Sequence, residues 1–258
     1  MDCDRCNQRR LARRGRPPKI AGLLATPRTS LHRATPESQN TMNVEQARFN
    51  MIEQQIRPWD VLDSSVLSLL AVVKREDFLP AAHRSVAFMD LEVPLPAGQT
   101  MLAPRVEARL LQELAPHRHE KVLEIGAGSG FMAALLAHKA QQVVTLETRP
   151  ELVAMARENL RTAKIMNAEV RQADGSDAAA VQGPWDAILL SGSVAEVPAA
   201  LLQQLKVGGR LVAIVGQLPM MRAVRIVRSS DSAWRTEVLF DVVAPRLDGF
   251  GEPTRFSF

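Results

Sequence analysis

The segment Val122-Leu123-Glu124-Ile125-Gly126-Ala127-Gly128-Ser129-Gly130 constrains the fold more than any other stretch of this 258-residue chain. An apolar run enters a turn with glycine at alternate positions, and the helix-like Phe131–His138 follows. Glycine adopts positive φ and lets the backbone approach a ligand closely. In an open parallel sheet, the first strand-to-helix turn faces the crevice where nucleotides bind. The rest of the chain agrees with that setting. Candidate strands are Lys121–Ile125, Gln142–Leu146, Ala168–Gln172, Trp185–Leu190 and Arg210–Val215, and they alternate with helical stretches Phe131–His138, Arg149–Ala163 and Pro198–Gln204. Such alternation predicts a parallel sheet covered on both faces. Ala223–Ser229 and Arg235–Val243 read as an antiparallel end to the sheet. Upstream, Val44, Phe49, Ile52 and Ile56 mark an amphipathic helix from Asn43. It should end at Arg57, the residue before Pro58. Asp63 is placed to cap a second helix carrying Val66, Leu67, Leu69, Leu70 and Val73. Residues 81–104 read as an extended loop, and Val106–Leu114 as a helix. The expectation is an α/β, doubly wound, mostly parallel sheet with an antiparallel C-terminal end and N-terminal helices.

Charge invites a different idea, polyanion binding, because the formal net charge is +4 and the pI about 9.5. Position removes most of its force. Residues 1–41 hold nine of the 32 bases and three of the 28 acids, so the remainder is mildly acidic. This stretch lacks an apolar period and reads as a disordered tail, with the folded domain expected over 42–258. A mis-assigned start, with Met42 as the true one, is the preferred reading; an Arg-rich transit segment is another. Cys3 and Cys6, the only cysteines, supply at best half of a structural zinc site, so no metal is expected. A cysteine-free body suits a reducing, cytoplasmic setting. No apolar run approaches the roughly 18–20 residues of a membrane span, so no membrane association is expected. Aromatic residues are 4% of the chain, with no tyrosine, which leaves no stacking platform for nucleic acid.

The turn itself discriminates among ligands. A phosphate-binding loop needs Lys-Ser or Lys-Thr after its last glycine, whereas Phe131-Met132 stands here. The dinucleotide fingerprint is G-x-G-x-x-G, whereas Gly126, Gly128 and Gly130 give G-x-G-x-G. Glu124 lies two residues before the first glycine, which suits a cationic ligand and mismatches pyrophosphate. The pattern E-x-G-x-G-x-G resembles motif I of S-adenosylmethionine-dependent methyltransferases, with their Rossmann-like fold and S-adenosyl-L-methionine as cofactor. Glu147 closes the next strand, near the offset where an acid accepts ribose hydroxyls. Asp174, in Ala173-Asp174-Gly175, closes the third; the resemblance implies contact with the adenine amino group. Singly, a glycine turn serves packing as well as ligands, and a strand-end acid often only caps a helix. Three acids at successive strand ends point to the cofactor.

Further segments carry a closer resemblance. Met51-Ile52-Glu53-Gln54-Gln55-Ile56-Arg57, Arg75-Glu76-Asp77-Phe78-Leu79-Pro80, Ala87-Phe88-Met89-Asp90 and Pro94-Leu95-Pro96-Ala97-Gly98-Gln99-Thr100 precede the glycine turn. Trp185-Asp186-Ala187-Ile188, Val197-Pro198-Ala199-Ala200-Leu201 and Leu205-Lys206-Val207-Gly208-Gly209-Arg210-Leu211-Val212 follow it. Over about residues 45–240 the series resembles the protein-L-isoaspartate O-methyltransferase family. The resemblance implies methyl transfer to the carboxylate of isoaspartyl residues in damaged proteins, which would be the partners. Acid–base catalysis is not needed, because a carboxylate is already ionised at neutral pH. One departure is local. The family's active loop commonly reads G-Q-T-[IV]-S-x-P, and here it is Gly98-Gln99-Thr100-Met101-Leu102-Ala103-Pro104. Leu102 cannot donate the hydrogen bond of the usual serine. Arg105 stands where an aromatic residue or histidine is frequent, and Leu190-Ser191-Gly192-Ser193 replaces a Thr-Ala-Ala-like run. Thr100, Ser191 or Ser193 is left to supply a hydroxyl, with Thr100 the candidate catalytic residue. The alternatives are a related methyltransferase with another acceptor and a non-catalytic S-adenosylmethionine-binding protein.

Overall fold

The computed structural model describes residues 36–251, with side chains from Asn43 onward. Cys3, Cys6, Phe256 and Phe258 lie outside these residues. Helix α1 spans Pro36–Met51 and so begins upstream of Met42, within the stretch read as tail. Its polar first turns carry no apolar period that a sequence reading could detect, and proline is tolerated in a first turn. At Ile52 the helix widens into a π-turn through Ile56, and a 3₁₀ turn over Arg57–Trp59 ends at Asp60, whose φ is 59°. The chain thus continues past the expected stop at Arg57. The change of winding also shifts the buried face to Met51, Ile52 and Ile56, leaving Phe49 57% exposed.

Helix α2 (Ser64–Val72) starts where Asp63 accepts hydrogen bonds from the Ser65 and Val66 amides. The stretch expected to be a loop contains a small antiparallel pair, β1 (Val93–Pro94) and β2 (Thr100–Met101), followed by helix α3 (Pro104–Leu114). The alternating region then runs β3 (Lys121–Ile125), α4 (Phe131–Lys139), β4 (Gln142–Glu147), α5 (Pro150–Thr162), β5 (Ala168–Gln172), β6 (Trp185–Val194), α6 (Ala199–Leu202), β7 (Leu205–Gln217), β8 (Met220–Ser230) and β9 (Ala233–Asp241). The seven long strands form one sheet in the order β5-β4-β3-β6-β7-β8-β9. Pairing is parallel from β5 to β7 and antiparallel from β7 to β9. The order reverses at β3, so the crevice beyond the carboxyl ends of β3 and β6 is the switch point where ligands bind in such sheets.

Alternation along the strands divides the core into two layers. Val122, Ala187, Leu189, Val212 and Ile214 face the layer formed with α2, α3, α4 and α5. Leu123, Ile125, Ile188, Leu190, Leu211 and Ala213 face the opposite layer, with Leu201 of α6 and Phe250. Side chains two residues apart share a face, which is why these runs are apolar throughout. Among the described residues, no helix is long and apolar enough to cross a membrane.

One ion pair is embedded in the first layer. Arg75, 1% exposed, pairs with Glu107 on α3, itself 4% exposed. The same guanidinium donates to the Leu102 carbonyl at 2.7 Å and lies over the Phe131 ring at 5.3 Å. It therefore ties the loop before α3 to the helix that begins at the glycine turn. Removing one partner strands a buried charge, which costs about 3–5 kcal/mol, whereas an apolar pair of similar volume is close to neutral. Chemical denaturation should accordingly show Glu107→Ala destabilised by about 3–5 kcal/mol. The double change Arg75→Met with Glu107→Leu should recover most of that loss.

Candidate functional site

The glycine turn sits on the carboxyl end of the sheet. Gly126 and Ala127 amides donate to the Leu146 carbonyl at 2.9 and 3.1 Å, which lays the turn across the end of β4. Gly130, with φ 83°, stands where a Cβ would come within 3.2 Å of the Ala156 backbone, so its absence lets α5 pack against the turn. Around the turn lie two cavities. One, of about 500 Å³, is walled by Leu146, Glu147, Leu152, Gly175, Leu247 and Asp248. The other, of about 330 Å³, is walled by Leu102, Glu107, Glu124, Phe131 and Met132. Thr100, Gly126, Gly128 and Ser191 border both.

The three acids occupy different environments. Glu124 is fully buried, and its Oε1 accepts from the Ser191 hydroxyl at 2.7 Å. Its Oε2 has no hydrogen-bond partner. Burial without a cation pushes this carboxyl up to about 8, and the nearby Thr145 and Ser191 hydroxyls offset only part of that. Glu147 lines the larger cavity and buttresses the turn, accepting from the Gly128 amide at 2.9 Å and the Arg149 amide at 3.1 Å. A carboxylate has about four acceptor positions, so capacity remains. Asp174 is exposed, and its carboxylate accepts from the Ser176 amide and hydroxyl at 2.8 and 2.7 Å. Its neighbours Ala173 and Gly175 line the cavity instead. Gly175 is packed so closely on Ile125 that a Cβ would fall 2.3 Å from that side chain.

The candidate hydroxyls also separate. Thr100 Oγ1 is buried and borders both cavities; burial pushes the neighbouring Glu92 carboxyl up, and the Thr100 hydroxyl within its reach offsets part of that rise. Leu102 is buried on the wall of the smaller cavity. Ser191 is committed to Glu124. Ser193 is fully buried, and its hydroxyl donates to the Ala244 carbonyl at 2.8 Å, so it serves the chain fold and is removed as a stand-in. Arg105 points elsewhere: it pairs with Asp90 and lies over the Trp59 ring at 4.3 Å. A bulge aims these serines. From Leu189↔Val212 to Ser193↔Ile214, β6 advances four residues while β7 advances two. Bulges of this kind re-aim side chains beside functional sites. Leu247 and Asp248 are site residues that sequence reasoning did not single out. They arrive from beyond β9, and no local pattern marks them.

Comparison with known proteins agrees with the geometry. The sequence model of the family described as protein-L-isoaspartate(D-aspartate) O-methyltransferase matches residues 46–243. The chain is 40% identical over 181 residues to a protein-L-isoaspartate O-methyltransferase of Koribacter versatilis, covering 70% of this chain and 81% of that one. It is 35% identical over 207 residues to a protein of the same name from Herpetosiphon aurantiacus, covering 80% and 92%. A solved Plasmodium falciparum structure assigned to the same enzymes, in complex with S-adenosyl-L-homocysteine, superposes with a TM-score of 0.67 over 79% of this chain and 97% of that one. At 20% identity that last likeness concerns the fold. By its matched length and these identities, the chain belongs to the protein-L-isoaspartate(D-aspartate) O-methyltransferase family.

Proposed function

We propose that the protein transfers the methyl group of S-adenosyl-L-methionine to the carboxylate of isoaspartyl residues in other proteins, acting in the cytoplasm. The observation that carries this reading is a pair of buried oxygens on cavities that share the glycine turn, Glu124 Oε2, which has no hydrogen-bond partner, and Thr100 Oγ1, which has Glu92 within reach. Glu124, on the smaller cavity, fits the ammonium end of a donor that extends from the larger cavity across the shared glycine turn, and Thr100, which borders both, fits the acceptor. Glu124 offers a buried acceptor for an ammonium group, Glu147 has lone pairs for ribose hydroxyls, and Gly126 and Gly128 leave room for a ligand against the backbone. Gly175 and Ala173 wall the larger cavity near Asp174, whose Oδ1 holds Ser176 while its Oδ2 is left to accept from an adenine amino group.

When bound, S-adenosylmethionine supplies a methyl group already activated on a sulfonium. The residues then have a positioning task. The Thr100 hydroxyl donates to one oxygen of the acceptor carboxylate and so aims the other at the methyl carbon. No proton has to move, since the acceptor is ionised at neutral pH. Holding two reactants in line can supply much of the acceleration. Leu102 keeps the wall beside Thr100 apolar and leaves that hydroxyl as the donor on this loop.

Label transfer to an isoaspartyl peptide, compared with its aspartyl twin, tests the reading. Methylation confined to the isoaspartyl peptide is expected; cofactor binding without transfer to it would refute the acceptor. Thr100→Val should lower kcat by about 10²–10³, the usual loss for one transition-state donor, with cofactor affinity unchanged. Leu102→Ser adds a second donor on the same wall and should raise kcat.

Glu124 makes cofactor binding pH-dependent. Its carboxyl in the free protein is largely protonated below about 8. Pairing with an ammonium group needs the charged form, so binding releases a proton. Affinity should therefore weaken as pH falls from about 8 towards 6, by up to about tenfold per unit. Calorimetry in buffers of different ionisation heat should report close to one proton released at pH 7, and clearly less for Glu124→Gln, in which Glu107, itself pushed up to about 7 in the same cavity, remains. In the free protein the sign is opposite for stability. The neutral carboxyl's contribution is complete below the ordinary value of 4.5 and is lost as pH rises through about 8.

A further inference from the structure

The segment after β9 returns to the site and is laid along β6. The Ser193 amide donates to the Pro245 carbonyl at 2.7 Å, and the Leu247 amide donates to the Ser193 carbonyl at 2.9 Å. A parallel bridge joins Ser193 and Arg246. This pairing carries Leu247 over the glycine turn, where a Cβ on Gly126 would lie 2.7 Å from Leu247 Cδ2. Phe250, buried in the second core layer, anchors the far end. Residues 244–250 thus form a strap across the larger cavity, with Leu247 and Asp248 on its inner wall.

Asp248 then meets two other stretches at one guanidinium. Its Oδ2 accepts from Arg149 Nε at 2.9 Å and Nη2 at 2.8 Å. The Gln99 amide is satisfied with its oxygen turned to the same guanidinium, 3.0 Å from Nε and from Nη2. Arg149 follows β4, and its own amide holds Glu147 Oε1. Gln99 directly precedes Thr100. The strap, the β4–α5 turn and the loop bearing Thr100 are therefore joined at a single polar clasp.

We propose that Asp248 is a positioning residue whose clasp on Arg149, the guanidinium that Gln99 also engages, retains the cofactor and ties the occupied cleft to the placement of Thr100. The inference rests on the larger cavity being the cofactor site. A covered cleft must open for the ligand to enter and leave. The Arg149 and Asp248 side chains are 36% and 43% exposed, and ion pairs this exposed are individually weak. Such a pair can slow release and still open repeatedly. Because it is solvent-accessible, it is also sensitive to salt.

Stopped-flow release of S-adenosyl-L-homocysteine tests the clasp. Asp248→Asn and Arg149→Met should each speed release by about fivefold, in line with the modest strength of exposed pairs. The double variant should be no faster than either single one, because both changes remove the same contact. Raising ionic strength from about 0.1 to about 1 M should speed release from the unmodified protein and leave the variants nearly unaffected. Amide exchange at Ser193 and Leu247 should quicken in Asp248→Asn while β7 keeps its protection. Unchanged release from both single variants, or additive effects in the double one, would overturn the clasp with the cofactor site intact. Failure of the unmodified protein to bind S-adenosyl-L-homocysteine would instead overturn the cofactor site, and the clasp with it.

Discussion

The missing side chains at the glycine turn decide how closely the rest of the molecule can approach. At Gly130 the α5 backbone fills the place a Cβ would take, and at Gly126 the strap's Leu247 does so. Both residues have positive φ, 83° and 93°, a region costly for other residues. Sequence and packing therefore agree on glycine for two separate reasons at each position. Moving α5 outward would carry Arg149 away from Asp248, and moving the strap outward would unroof the larger cavity. The cavities, the clasp and the α4–α5 packing all depend on one short stretch of bare backbone.

Buried charge sets the second constraint, and the two acids in the smaller cavity resolve it differently. Glu107 has Arg75 as a permanent partner, and that partner also fixes the Leu102 carbonyl. Glu124 has only hydroxyl neighbours and an unsatisfied oxygen. A buried carboxyl in that condition is costly as an ion. Its presence at the end of β3 makes sense when a cation visits the site, so the same physics that destabilises the free state favours the bound one. The two acids illustrate a structural pair and a site kept incomplete.

What was legible in the sequence follows from locality. The limits of β3 were readable to the residue because its largely apolar run stops at the glycine turn, and β5 ends where Ala173-Asp174-Gly175 breaks an alternation of one buried valine among polar residues. Asp63 was readable as a cap because capping involves residues two and three positions away. The acids at the ends of β3 and β4 were readable because they flank the turn in sequence as well as in space. Readings failed where distant segments decide. Ser193 looked like a free hydroxyl until the chain beyond β9 placed a carbonyl beside it. Phe49 looked buried because a regular helical period was assumed, whereas the π-turn changes the phase. Leu247 and Asp248 carry no local pattern at all; only the fold brings the end of the domain onto its first glycine turn.

Leu102, which stands where the resemblance leads one to expect a serine, bears on the proposed acceptor through the same geometry. Thr100 and Leu102 lie on one short loop and line the same cavity, two residues apart. Thr100 places a hydroxyl on the wall that Leu102 leaves apolar. Had Arg105 turned inward, it would have brought a charge to the wall; instead Asp90 and Trp59 hold it on the outer side of α3. The smaller cavity consequently offers an acceptor one neutral donor beside an apolar wall, with the acids Glu107 and Glu124 at its edge. Under the proposed reaction, a carboxylate reaching the methyl group from this side would be oriented by a hydrogen bond and not by an opposing charge. That suits a nucleophile whose own negative charge must remain available for the reaction.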